Sequence, residues 1–89
     1  MTRTQFEEKM DTYGFKKIFE SSYETVWKSG KNQIELLADG TILLARSDCM
    51  ALNFNLNALQ SISERENTYP ETLVLVMAGG VKARIEYKR

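Results

Sequence analysis

Phe6, Met10 and Tyr13 recur at the i, i+4, i+7 spacing of one helical stripe, with Glu7, Glu8, Lys9 and Asp11 off the stripe. Ahead of them, Thr2 and Gln5 form a capping box, with Met1 and Phe6 at the flanking staple positions. Thr4 and Glu7 offer a second box two residues later. Gly14 stands where a left-handed C-cap is wanted, and Phe15 follows in position to meet Met10. This pattern predicts an N-terminal helix that ends at Gly14.

Beyond Gly14 the period changes to two. Phe15 to Phe19 reads as a short strand, Glu20-Ser21-Ser22 as a turn, and Tyr23, Thr25 and Trp27 alternate with Glu24, Val26 and Lys28. Ser29-Gly30-Lys31-Asn32 has loop chemistry. Ile34 to Leu37 and Thr41 to Ala45 flank Asp39-Gly40, the pair suited to a tight hairpin turn. Met50, Leu52, Phe54 and Leu56 alternate with Ala51, Asn53 and Asn55, which favours a strand to about Leu56. Leu52, Leu56, Leu59 and Ile62 also fit a helical stripe, and asparagines at alternate positions weigh against it. A short helix is expected from Asn57, as N-cap with Gln60 as its box partner, to near Asn67. One helix starting at Ser47 or Asp48 is the alternative.

After Tyr69-Pro70, Thr72 to Ala78 is apolar on both faces, as suits a sheet centre or an interface. Gly79-Gly80 permits a turn, and the last strand sets Val81, Ala83, Ile85 and Tyr87 inward against Lys82, Arg84, Glu86 and Lys88 outward. The expected architecture is a single α+β domain over residues 1–89. Its mostly antiparallel sheet has about five to six strands, with an N-terminal helix and one short helix.

Chemistry narrows the picture mainly by what is missing. The 89 residues include no histidine and one cysteine, and 12 Lys+Arg balance 12 Asp+Glu. Without imidazole there is no Ser-His-Asp or Cys-His nucleophile pair and no histidine ligand for zinc, and one thiol cannot build a structural thiolate site. None of the five glycines sits in a phosphate-cradling loop. Glu20, Glu24 and Glu35 are the carboxylates that neighbouring strands could bring together, but they share their segments with Lys16, Lys17, Lys28 and Lys31, as on a solvated face. Cys49 follows Ser47-Asp48 and reads as a small buried hydrophobe. No catalytic residue, metal or cofactor is therefore expected. A lone thiol and a charged N-terminal segment without an apolar run suggest a cytoplasmic protein that does not enter a membrane.

Two binding readings remain. Trp27, Tyr23, Tyr69 and Tyr87 supply more aromatic surface than one thin sheet layer needs, and the strand from Leu73 to Ala78 is apolar on both sides. Tyr and Trp are enriched at binding hot spots, so Tyr23, Trp27 and Tyr87 are candidate contacts to another protein, a second copy as a homodimer included. Small chains without catalytic machinery commonly act by occupying a partner's surface. Accessory and inhibitor proteins of phages and other mobile elements are one such population. The alternative is single-stranded nucleic-acid binding through Lys82, Arg84, Lys88 and Arg89, on a basic C-terminal strand. Zero net charge counts against that alternative, because affinity for phosphate grows with the number of counterions released.

Overall fold

The computed structural model describes residues 1–46, 49–65 and 72–87. Helix α1 (Arg3–Thr12) starts at the Thr2 box. The Gln5 amide donates to Thr2 Oγ1 at 3.2 Å, and the Thr2 amide donates to Gln5 Oε1 at 2.9 Å. It ends at Gly14 with φ 77°, where the Gly14 amide reaches the Asp11 carbonyl and the Phe15 amide the Met10 carbonyl. Those two bonds satisfy carbonyls that the last turn would otherwise leave unpaired.

Eight strands follow among the described residues: β1 (Lys16–Glu20), β2 (Glu24–Ser29), β3 (Asn32–Leu37), β4 (Thr41–Arg46), β5 (Cys49–Asn55), β6 (Leu59–Glu64), β7 (Thr72–Met77) and β8 (Lys82–Glu86). They form two antiparallel meanders, a five-stranded sheet in the order β1-β2-β3-β4-β5 and a three-stranded sheet in the order β6-β7-β8. The α+β, antiparallel expectation holds, with the strands divided between two sheets rather than collected in one. Among the described residues no helix is long and apolar enough to cross a membrane.

The helix expected from Asn57 is corrected to strand. A single 3-10 turn spans Leu56–Ala58, capped by Asn55, whose Oδ1 accepts from the Asn57 amide at 2.8 Å, and the chain then enters β6. The misleading signal was Leu59 and Ile62, three residues apart. Leu59 pairs with Met77, Ser61 with Val76 and Ile62 with Leu75, so Gln60 is one extra residue in the ladder. A bulge of this kind shifts the side-chain parity, and both Leu59 and Ile62 reach the core from a strand. The helix alternative from Ser47 fails with it, since residues 49 to 55 are strand.

One contiguous core joins the three parts: Phe6 and Met10 from α1, Trp27, Ile34, Leu36, Ile42 and Leu44 from the larger sheet, and Leu59, Ile62, Leu73, Leu75, Met77, Ala83 and Ile85 from the smaller. The helix bridges the two sheets. Phe6 stands edge-on to Trp27 with ring centroids 5.4 Å apart, and Tyr13 stands edge-on to Tyr87 at 5.8 Å. Arg3 donates to the buried Thr25 Oγ1 at 3.0 Å, and the Met1 ammonium donates to the Leu59 carbonyl at 2.9 Å. The strand expected to be apolar on both faces is β7, the centre of its sheet. It buries Leu73, Leu75 and Met77 and leaves Val74 and Val76 half-buried on the far side.

Candidate functional site

Strand parity decides which candidates are available to a partner. Thr25, Trp27 and Ser29 of β2 face the core, so Glu24, Val26 and Lys28 face the opposite, outer side of the five-stranded sheet. Trp27 is 2% exposed and Tyr87 3% exposed, and Tyr87 also stacks on Phe15 at 6.3 Å. These two aromatics are corrected from partner contacts to core members, because α1 and the second sheet cover them. Tyr23 differs: it sits in the turn between β1 and β2 and is 79% exposed. Val81, expected inward, lies outside β8 and is exposed. Tyr69, Lys88 and Arg89 lie outside the described residues, as does the side chain of Cys49.

The outer face has a layout that the sequence alone did not disclose. Its middle row crosses four strands in register: Phe19, Val26, Glu35 and Leu43. Val26 is buried at 6% exposure although it is no member of the core cluster. Phe19 is 50% exposed, Ile18 in the β1 bulge is 54% exposed, and Leu37 and Leu43 are half-buried. Toward one end of the strands stand Lys16 and Lys28, directly opposite each other, with Gln33 beside them. Toward the other end stand Glu24 and Leu37, also in register. Neither Lys16, Lys28 nor Glu24 makes an ion pair among the described residues. Like charges directly opposite in a sheet are unfavourable, so the basic row is an unrelieved feature of the isolated chain.

The three candidate carboxylates do not converge on a common centre. Glu20 accepts from Lys17 Nζ at 2.8 Å, and that charged hydrogen bond lowers the Glu20 carboxyl below its ordinary value while raising the Lys17 ammonium above its own. Glu35 accepts from Gln33 Nε2 at 3.0 Å on the outer face. Among the described residues no group of three acidic, cysteine or histidine side chains is placed to hold a metal.

Lys82 and Arg84 are exposed on the outer side of β8, in register with Val76 and Val74. Two cations make a small phosphate footprint. Each neutralised phosphate of a single strand adds about 0.7 to the salt slope, so this pair supplies little of the electrostatic affinity such binding needs.

Ile18 and Phe19 are the exposed apolar pair that sequence reasoning missed. Their signal was an apolar pair enclosed by Lys16, Lys17 and Glu20 in an edge strand, where one flank has no neighbouring strand. Comparison with protein-family models, with curated proteins and with solved structures finds no match to this chain.

Proposed function

We propose that this chain is a small interaction module that binds protein through the outer face of its five-stranded sheet and acts by occupying a surface rather than by chemistry. The observation that carries the reading is the exposed apolar pair Ile18 and Phe19 on the edge strand, with Tyr23 exposed in the adjoining turn and the half-buried Leu43 in the row of Phe19. Exposed aliphatic and aromatic side chains gathered on one sheet face are what a protein contact buries. The absence of histidine supports a non-enzymatic role without metal or cofactor, and the lone cysteine supports a cytoplasmic setting. An accessory or inhibitory role fits a module that acts by covering a partner's surface.

The test is affinity capture from native lysate, with and without nuclease. Wild type is compared with Phe19→Glu and with the double variant Lys82→Glu/Arg84→Glu. The reading expects protein to be retained through nuclease treatment, lost with Phe19→Glu and kept with the double variant. Capture of nucleic acid alone, abolished by the double variant and indifferent to Phe19→Glu, would establish the basic-strand alternative instead.

A further inference from the structure

We infer that the partner fitted by this outer face is a second copy of the chain, packed sheet on sheet about a two-fold axis that runs across the strands through the middle row. The inference rests on the interaction reading above and names its occupant. Glu24 and Lys28 stand two residues to either side of Val26 on the same strand and the same face, roughly 7 Å each way along β2. A two-fold axis over Val26, parallel to the sheet plane, perpendicular to the strands and midway between the two sheets, reverses strand direction while keeping each strand over its own copy. It sets Lys28 of one copy over Glu24 of the other, and Glu24 over Lys28. Lys16 falls on the same basic row one strand away, so the carboxylate set over Lys28 also eases the repulsion between the two ammonium groups. The apolar row of Phe19, Val26 and Leu43 meets itself along the axis. A two-fold axis parallel to the strands would instead lay the Lys16-Lys28 row on its own copy, and the charges exclude that arrangement.

The face is therefore self-complementary, as an isologous contact requires. The Lys16–Lys28 row, repulsive within one chain, gains the Glu24 carboxylate of the other copy over Lys28. Glu35 is the one charge on the middle row, and Gln33 draws its carboxylate toward the basic end and off the axis. Five strands at ~4.8 Å and six residues at ~3.3 Å make a face of about 480 Å² in projection. A standard interface buries ~800 Å² per partner, so the pair falls at the small, weak end of specific contacts.

Sedimentation equilibrium of the full chain, at concentrations up to about 1 mM, tests this. The expected result is a reversible monomer–dimer equilibrium. Lys28→Glu and Glu24→Lys should each weaken it at least ~10-fold, and the double exchange Lys28→Glu/Glu24→Lys should restore it to within ~3-fold of wild type. Glu35→Gln should tighten it. Unchanged Trp27 fluorescence in every variant certifies the fold. A chain that stays monomeric at the highest concentration, or a dimer indifferent to both single exchanges or not restored by the double one, overturns the inference. If Phe19→Glu still abolishes protein capture in that case, the interaction reading survives with a different occupant. If capture is untouched as well, both fall.

Discussion

Replacing Phe6 by Leu tests whether α1 is held by its aromatic contact across the core. Phe6 is fully buried, and its ring meets Trp27 edge-on at an interplanar angle of 74°. Such a pair contributes ~0.5–1.5 kcal/mol beyond area burial. Exchanging one buried hydrophobe for another of similar volume adds a packing cost below ~1.5 kcal/mol. The expected loss is therefore about 0.5–3 kcal/mol. A chain of 89 residues at roughly 0.05–0.15 kcal/mol per residue holds about 4–13 kcal/mol in total, so the change is large. Urea unfolding followed by Trp27 fluorescence reads the effect from the only tryptophan, and far-UV circular dichroism provides a second probe. At a slope of ~1–3 kcal/mol/M the midpoint should fall by about 1 M. Val81→Thr, at an exposed turn position, should stay within ~0.5 kcal/mol of wild type. A Phe6→Leu loss no larger than that of Val81→Thr, or native Trp27 emission like that of tryptophan in water, would refute the placement of α1 over Trp27.

Two further outcomes concern the β3–β4 turn. Gly40 has φ +91°, and a Cβ there would lie 3.4 Å from the Asn55 side chain, so Gly40→Ala should cost about 1–3 kcal/mol in the same urea assay; no loss would exclude the left-handed turn. Asp39 Oδ1 accepts from the Thr41 amide at 2.9 Å, and this bond holds its carboxyl below the ordinary aspartate value. A depressed folded-state value contributes stability that is complete above the ordinary value and lost as pH falls through the depressed one. Wild type should therefore exceed Asp39→Asn in stability at neutral pH, and the gap should close on acidification through the aspartate range. A gap constant with pH would contradict the charge-assisted bond.

Local chemistry made much of this fold legible. The Thr2 box, the Gly14 terminus and the Asp39-Gly40 turn each depend on residues within five positions of one another, and all three stand where their chemistry places them. The short helix failed because a bulge at Gln60 put Leu59 and Ile62 at helical spacing within a strand, and bulges are decided by the partner strand, here β7. Trp27 was misread for a related reason. Whether a β2 side chain faces core or solvent depends on where α1 lies, and that is a long-range fact. The outer face escaped notice because its row draws Phe19, Val26, Glu35 and Leu43 from four strands, and no sequence period connects them.

The central claim is that the outer face around Phe19 is the surface this protein uses. Hydroxyl-radical footprinting across a concentration series measures it directly, because oxidation reports side-chain exposure residue by residue. In dilute protein Phe19 and Val81 should be oxidised and Trp27 protected, as their exposures of 50%, 58% and 2% require. As concentration rises, Phe19 should become protected while Val81, on the turn of the smaller sheet, stays reactive. Phe19 oxidation that never falls, or protection that appears at Val81 instead, would contradict the closing of this face on a second copy.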